Sequence, residues 1–398
     1  MRVAVFYQYY HTPDCAADSR HYTFIRHLAQ RHQVTLLTTS AWQHRRLSER
    51  YPWVPDGVTL HTFDIPYDNT MPERRRVRAF GQYAGNALFR GLRMPRPDVI
   101  FGSSTPLTAA WAAHRVAAWR GVPWVFEVRD LWPDFPVQMG AVRHPILKKQ
   151  LYRLEKRLYA SAAHIVALSP DMETHIRGLG IPGEKITTLI HGTDFDLIDQ
   201  VEDDQRDRLA HQYGLLGRNV VLYAGRYGRA NDIPTLLQAA HRLSHRDDIR
   251  FIITGDGYFA PAVRDAAERL PGVTCLPPQP RHEVFSWFKL AHVTLVPFLD
   301  LPVLSANSPA KFFDSLGAGT PVIVTNPGWT RRFVEEHRCG WYVPPSNPEA
   351  LAQRLERVLA DPAGLKAAGL RGSDVARRHF DRAVLAGRLE DILVTVAS

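Results

Sequence analysis

The sequence contains little cysteine and no long apolar run. Its 398 residues include three cysteines, Cys15, Cys275 and Cys339, which lie far apart and form no C-x-x-C pair. Thiols so few and so scattered indicate neither a disulfide framework nor a zinc site, and they suit a reducing cytoplasm. No stretch of about 18 uncharged apolar residues occurs, and no signal-peptide core follows the strand-like N-terminus. We therefore expect a cytoplasmic protein that is neither exported nor membrane-spanning.

Positive charge, by contrast, is in excess. Lysine and arginine together number 49 against 40 aspartate and glutamate residues, which gives a formal net charge of +9. This excess requires an anionic partner to be considered: nucleic acid, a phosphorylated ligand or an acidic membrane. The sequence has no RNA-binding aromatic strand motif and no zinc module, so we expect no nucleic acid partner.

Much of the excess charge lies in one helical segment, residues 72–97. Its apolar stripe consists of Val77, Phe80, Ala84, Ala87 and Leu88, and the surrounding arginines are Arg74, Arg75, Arg76, Arg78, Arg90 and Arg93. The pattern fits a helix that packs on a core and has a solvated basic rim. It also fits peripheral contact with an anionic membrane, and the sequence leaves both interpretations open.

Strand-like apolar runs alternate with helical patterns along the whole chain, which predicts an α/β protein with parallel sheets. The runs are residues 3–8, 33–39, 98–104, 123–130, 164–169, 219–225, 250–257, 274–278, 293–298 and 320–326. The length favours two domains, and the pattern restarts after a polar stretch that follows residue 200. We predict an N-terminal acceptor-binding domain over 1–195 and a C-terminal donor-binding domain over 196–376. An amphipathic helix over 377–398 is expected to pack back on the first domain.

The stretch NSPAKFFDSLGAGTPVIV (307–324) predicts a helix that begins at an anion. Ser308 is the expected N-cap, Pro309 the first helical residue and Lys311 the third. A lysine in the first turn opposes the helix dipole, and a bound anion explains its presence there. Asp314 shares the face of Lys311, and its carboxylate could accept hydrogen bonds from a ribose or sugar diol.

A second candidate region lies in the C-terminal half of the chain, directly after the first two predicted strands of that half. Gly225 comes directly after an apolar strand, and Arg226 and Arg229 lie in the turn beyond it. Backbone and guanidinium groups there could both approach a pyrophosphate. Gly255 follows the next strand in ITGDGY, and the irregular stretch LPPQPRHEV (276–284) could receive a planar base.

In the first half, the apolar strand VPWVFEV ends in Arg129 and Asp130. Because the carboxyl ends of parallel strands face a cleft, Asp130 could orient or deprotonate an acceptor hydroxyl. The competing interpretation is a structural Arg129–Asp130 turn. The loop after the first strand carries Asp18 and Arg20, and we expect it to open on the same cleft.

Two further motifs resemble known binding sites, but we interpret both as structural. GLGIPG (178–183) matches G-x-G-x-x-G but follows a helical pattern, so a helix C-terminus is favoured over a dinucleotide site. DFD (194–196) has the form of a metal-binding carboxylate pair, yet it lies at the expected domain junction, and we interpret it as a linker turn.

The ordered set VFEVRDLWPDFP, LYAGRYGRANDIPTLLQAA, ITGDG and SPAKFFDSLGAGTPVIV resembles the bacterial family 4 (group 1) glycosyltransferases. The likeness is to those that build O-antigen, capsule and colanic acid polysaccharides. The resemblance implies a GT-B fold of two Rossmann-like domains. It also implies transfer of a sugar from a nucleotide-sugar, which we expect to be a UDP-sugar, with retention of the anomeric configuration. It implies no cofactor and no metal ion. The acceptor would be a glycan or a polyprenyl-linked sugar.

By match of position, Arg226 and Lys311 resemble the phosphate-binding cations of that family, and Asp314 its ribose-binding acid. Gly225, Arg229, Gly255 and Ser308 complete the expected donor site, with Asp18, Arg20 and Arg129 on the acceptor side and Asp130 as a catalytic group. The chain departs from the family pattern at Ala306, where many members carry a glutamate, and at Cys15-Ala16-Ala17, where a glycine pair is usual. A nucleotide-sugar 2-epimerase of similar build and a non-catalytic binder are the alternatives.

Overall fold

The computed structural model describes residues 1–40, 54–68 and 71–398, and it contains two parallel sheets flanked by helices. The first sheet has the order β3-β2-β1-β4-β5-β6-β7. Its strands are β1 (Arg2–Phe6), β2 (Gln33–Thr39), β3 (Val58–Phe63), β4 (Val99–Ser103), β5 (Trp124–Val128), β6 (His164–Ala167) and β7 (Ile186–Thr188).

The second sheet repeats this doubly wound arrangement in the order β10-β9-β8-β11-β12-β13, again with every pairing parallel. Its strands are β8 (Asn219–Ala224), β9 (Ile249–Thr254), β10 (Val273–Leu276), β11 (Val293–Val296), β12 (Val322–Val324) and β13 (Gly340–Tyr342). The expected α/β class and pair of Rossmann-like sheets are confirmed.

The helices of the first half are α1 (Arg20–Ala29), α2 (Glu73–Arg93), α3 (Leu107–Arg120), α4 (Asp134–Gln138), α5 (Pro145–Ser161) and α6 (Pro170–Gly178). Two more follow before the second sheet, α7 (Phe195–Asp199) and α8 (Asp203–Gln212). The remainder are α9 (Ile233–Arg242), α10 (Ala260–Arg269), α11 (Arg281–Leu290), α12 (Ala310–Gly317), α13 (Trp329–His337), α14 (Pro348–Leu359), α15 (Pro362–His379) and α16 (Arg382–Ala397). Among the described residues, no helix is both long and apolar enough to cross a bilayer.

All ten predicted strands are present, and among the residues that the structure describes the sequence analysis missed three strands: β3, β7 and β13. Each of these is an edge strand of its sheet. An edge strand pairs on one side alone and keeps a partly exposed face, so its sequence lacks the continuous apolar run of a central strand. The burial of β13 shows this, since all three of its residues are half-buried.

The chain passes between the two sheets twice. It leaves the first sheet after β7 and returns from α15 to α16, where Thr193 pairs with Asp381 in an isolated bridge. The returning helix α16 packs against α1, beside the first sheet. The domain boundary near residue 195 stays a prediction.

Both sheets reverse their winding beside their first strand, between β1 and β4 and between β8 and β11. In doubly wound sheets, ligands bind at the carboxyl ends of the strands at such reversal points. The loop after β1 and the turn after β8 lie at these two positions.

Candidate functional site

Two glycine turns form the floor of the site at the carboxyl edge of the second sheet. Gly225 follows β8 with φ +148°, and Gly255 follows β9 with φ +146°, conformations that side chains rarely adopt. The turns touch through their backbones, because a Cβ built on Gly255 would lie 1.8 Å from the carbonyl oxygen of Gly225. Close backbone approach therefore requires glycine at this edge.

Lys311 of α12 extends over the first of these turns. A Cβ built on Gly225 would lie 2.8 Å from Cε of Lys311, so the lysine occupies the space that a side chain there would need. Its Nζ donates to the hydroxyl of Tyr223 at 3.2 Å and to Oδ1 of Asn231 at 3.3 Å. Burial lowers the pKa of Lys311 to about 7. Within the described part of the chain, no carboxylate forms an ion pair with this cation.

The predicted N-cap of α12 is wrong by one residue. The helix begins at Ala310 with Pro309 at the capping position, so Lys311 is the second helical residue. Ser308 precedes the cap, and its Oγ is buried without a hydrogen-bond partner in the described structure. Proline at the cap has no side-chain acceptor, which leaves the first turn of the helix uncapped.

Arg226 brings the second sheet into contact with the first half of the molecule. Burial lowers its pKa, and the nearby groups that oppose this effect include Tyr67 and Asp68, which lie between β3 and α2. On the other side, burial lowers the pKa of His11 to about 3, and the charge of Arg226 acts in the same direction. Arg226, after β8, and His11, after β1, therefore lie close enough for the charge of one to act on the other.

Arg229 lies apart from this cluster. It is exposed in the turn before α9, and its guanidinium stacks 4.3 Å from the ring centre of Tyr258. The structure thus brings Gly225, Arg226, Gly255 and Lys311 together and leaves Arg229 at the rim.

On the opposite side of the cleft, Asp130 follows β5 and accepts a hydrogen bond from Thr105 at 2.8 Å. Burial raises the pKa of Asp130, and the hydrogen bond from Thr105 and the charge of Arg129 offset this effect in part. A half-buried carboxylate with a raised pKa suits proton transfer better than a fully solvated one.

Arg129 and Asp18 belong to a half-buried charge cluster next to Asp130. Arg129 donates to the hydroxyl of Tyr7 at 2.6 Å and lies 3.5 Å from Asp18. Asp18 also accepts from Arg382 at 2.6 Å and lies 3.0 Å from Nε2 of His191. Burial alone would raise the pKa of Asp18, but its cationic partners hold that pKa well below its usual range.

Arg20 faces the core, and the prediction that it contacts an acceptor is wrong. Its side chain is fully buried, where it pairs with Glu127 at 3.1 Å and donates to backbone carbonyls of Leu189 and His191. These contacts connect the start of α1 to β5 and to the segment after β7. Because the side chain is fully buried, it does not reach the cleft.

Asp314 likewise differs from its predicted role. Arg281 donates to it through both terminal nitrogens, at 2.5 and 2.6 Å, and Thr193 adds a hydrogen bond at 2.7 Å. The carboxylate is buried, and these partners use both of its oxygens. A ribose diol would have to displace Arg281 or Thr193, so the geometry assigns Asp314 to the junction between the domains.

Sequence analysis missed three residues of this region: His11, Arg281 and Asp194. His11 is buried with Nε2 unpaired among the described residues, and its position in the loop after β1 could have drawn notice. Nothing local distinguishes Arg281 in LPPQPRHEV. Asp194 is part of the DFD turn, and it is buried between Arg281 and Arg382.

In the described residues, no group of three or more His, Cys, Asp or Glu side chains is arranged to hold a metal ion.

Family models match both halves of the chain. Residues 20–192 match a glycosyl transferase 4-like domain, and residues 218–361 match glycosyl transferases group 1. The chain is 24% identical to "Probable glycosyltransferase WbjE" of Pseudomonas aeruginosa over 78% of both chains. It is 25% identical to an alpha-D-kanosaminyltransferase of Streptomyces kanamyceticus, over 64% of this chain and 66% of that protein.

Solved structures share the fold over nearly the whole chain. Anabaena HepE in complex with UDP-glucose superimposes with a TM-score of 0.70 at 16% identity, covering 99% of this chain and 100% of HepE. A protein described as a UDP-N-acetylglucosamine 2-epimerase of Listeria monocytogenes superimposes with a TM-score of 0.62 at 13% identity, covering 98% and 94%. At such identities these likenesses show the fold alone.

Proposed function

Because this chain belongs to the group 1 glycosyltransferases of GT-B fold, we propose that it transfers a sugar from a UDP-sugar with retention of configuration. The acceptor in this proposal is a glycan or a polyprenyl-linked sugar in cell-surface polysaccharide or glycoconjugate synthesis. One observation carries the proposal: the half-buried ammonium of Lys311 lies over Gly225 without a carboxylate partner in the described chain. A cation that is largely removed from water without an anionic partner is costly, and a bound diphosphate would supply that partner.

The donor diphosphate would lie between Lys311 and Arg226, above the turns at Gly225 and Gly255. Negative charge grows on the leaving nucleotide as the bond to the sugar breaks, and two cations at that position stabilise it. We propose that these side chains supply the positive charge that a metal ion supplies elsewhere. HepE was solved with UDP-glucose, which supports a uridine nucleotide as the first donor to test.

The acceptor would approach from the first sheet. In this proposal, Asp130, with its raised pKa, and His11, with its unpaired Nε2, contact an acceptor hydroxyl or the transferred sugar. His11 stays neutral at pH 7 because its pKa is about 3, so it would act as a hydrogen-bonding group and not as a cation.

A lipid-linked acceptor would require contact with a membrane surface, and we propose that α2, α3 and α5 provide it. The segments 74–97 and 135–154 contain arginines and lysines but no acidic residue. Phe80, Ala84 and Ala87 of the predicted stripe are buried, whereas Val77 is 65% exposed. Phe89, Trp119 and Ile146 are exposed nearby, and apolar side chains among basic ones suit the headgroup region of anionic lipids.

A panel of UDP-, GDP- and dTDP-sugars, ranked by thermal stabilisation, tests the donor part of the proposal. We expect UDP-sugars to raise the melting temperature, as any ligand that binds the folded state does. Lys311→Met should abolish the shift. Equal shifts for all three nucleotides, or none, would contradict the uridine assignment.

The 2-epimerase alternative is weaker, since the matching family models and the curated relatives are glycosyltransferases. An epimerase would act without an acceptor and would release the epimeric sugar, either still attached to UDP or, with water as co-reactant, free together with UDP. Measuring UDP release with and without added acceptor lipid or glycan separates the two, because transferase activity depends on the acceptor.

A further inference from the structure

Five buried or half-buried charges form a continuous chain across the junction between the two sheets. In order they are Asp18, Arg382, Asp194, Arg281 and Asp314, so that negative and positive groups alternate. We name this set the interdomain latch. Its members come from the loop after β1, from α16, from the linker, from α11 and from α12.

Arg281 connects three separate parts of the chain within the latch. Its Nε donates to Asp194 at 3.1 Å, and its two terminal nitrogens bind Asp314. Its backbone N–H bonds to the carbonyl oxygens of Pro13 at 3.0 Å and Cys15 at 3.2 Å. One residue of the second half thus contacts the linker, helix α12 and the loop after β1 at the same time.

Both ends of the latch lie beside the candidate reaction groups. Asp314 is one turn along α12 from Lys311, and the loop that carries Pro13 and Cys15 also carries His11. Asp18 contacts Arg129, the neighbour of Asp130. A shift of the latch would therefore move the donor-side lysine relative to the acceptor-side residues.

We propose that Arg281 is a positioning residue that fixes helix α12 and the loop after β1 in register across the cleft. It acts through Asp314 and through its own backbone, and it touches no reacting atom. Arg281 makes three hydrogen bonds to carboxylates, one from Nε to Asp194 and one from each terminal nitrogen to Asp314. Only the planar, forked guanidinium of arginine can donate in these different directions at once. The effect on turnover rests on the proposed function, whereas the effect on domain arrangement does not.

The test compares Arg281→Gln with Arg332→Gln. Arg332 of α13 also forms an ion pair across the two halves, with Asp171 of α6, but it contacts neither the linker nor the loop after β1. We expect Arg281→Gln to increase the radius of gyration in small-angle X-ray scattering and to lower transfer kcat at least tenfold. UDP affinity, measured by calorimetry, should change less than threefold. Arg332→Gln should match the parent protein in all three measurements.

The conservative variant Arg281→Lys decides the matter if Arg281→Gln fails to fold. Lysine keeps the charge but loses the fork, so we expect a cooperative thermal transition together with reduced kcat. Parental scattering and kcat in Arg281→Lys, or equal effects of Arg281→Gln and Arg332→Gln, would overturn the proposal. If the parent protein binds no UDP, the proposed function fails, and the scattering comparison still decides whether Arg281 holds the domains.

Discussion

Lys311 and Tyr223 are linked by a hydrogen bond of 3.2 Å, from Nζ of the lysine to the phenolic oxygen. Tyr223 in turn donates to the carbonyl oxygen of Arg226 at 2.5 Å. Tyr223 thus connects the ammonium group of Lys311 to the backbone of Arg226 through a neutral side chain. Tyr223 positions the ammonium group without neutralising it, which leaves its charge for a ligand.

We predict that Lys311→Met lowers turnover at least tenfold, because a charge that stabilises the leaving group in a dry site contributes roughly 2 to 4 kcal/mol. Arg226→Ala should have a similar effect. Steady-state kinetics with a UDP-sugar measures both. Lys366→Met, at an exposed lysine of α15, is the control and should leave turnover unchanged. Near-normal kcat in both Lys311→Met and Arg226→Ala would contradict the assignment of these two residues to the donor site.

Nucleotide binding should depend on pH through Lys311, whose pKa is lowered to about 7. A bound diphosphate favours the protonated amine, so UDP affinity should fall by up to about tenfold per pH unit between pH 7 and 9. Folding stability should respond in the opposite sense. The unfolded chain keeps this proton up to its ordinary pKa, so the contribution of Lys311 to stability rises with pH above 7.

Calorimetry in buffers of different ionisation enthalpy measures the proton uptake that accompanies UDP binding. Lys311→Arg provides the control, since arginine stays charged throughout this range and should remove the pH dependence. A parental affinity that stays constant from pH 7 to 9 would contradict the assignment of Lys311 to the diphosphate.

Asp314→Asn should reduce stability more than it reduces nucleotide affinity. Removing one partner of a buried ion pair costs about 3 to 5 kcal/mol, and the lower end is expected because Asp194 still contacts Arg281. Urea unfolding measures the free energy. Asp199→Asn removes an exposed partner of Arg377 and should cost less than about 1 kcal/mol. A large loss of UDP affinity at unchanged stability would instead return Asp314 to a ribose contact.

His11→Ala should lower kcat/KM for the acceptor by roughly five- to a hundredfold, the cost of losing one buried hydrogen bond to a substrate. The pKa of His11 is about 3, so this histidine stays neutral between pH 5 and 9. The pH profiles of the parent and of His11→Gln should therefore run parallel. His245→Gln, at an exposed position, serves as the control, and profiles that diverge near pH 6 would show a charged role instead.

The surface formed by helices α2, α3 and α5 should bind anionic membranes at low salt. Each basic residue near such a surface contributes about 1 kcal/mol, and added salt weakens this attraction. We expect sedimentation with phosphatidylglycerol vesicles, release at high salt, and loss on changing Arg74, Arg75, Arg76 and Arg78 to serine. The charge-matched control changes four exposed basic residues of the second half to serine: Arg264, Arg269, Arg357 and Lys366. Equal sedimentation with neutral vesicles, or none with either kind, would favour a soluble acceptor.

The sequence predicted the parts of the site that depend on local pattern. Gly225 and Gly255 were found because each follows an apolar strand, and Lys311 because it occupies the first turn of a helix. These features need only the neighbouring residues to be interpreted. The central strands were predicted for the same reason, since their apolar runs are continuous.

Tertiary structure alone decided the roles of the buried charges. Asp18 ends the loop after β1 and Arg20 begins α1 two residues later, yet Arg20 binds Glu127 in the core and Asp18 binds Arg382. The partners of Asp314 are Thr193, 121 residues away, and Arg281, 33 residues away. A charged side chain looks the same in sequence whether it faces a ligand or a buried counter-ion. The difference arises when folding removes water from around the group, and the nearest opposite charge then determines what it binds.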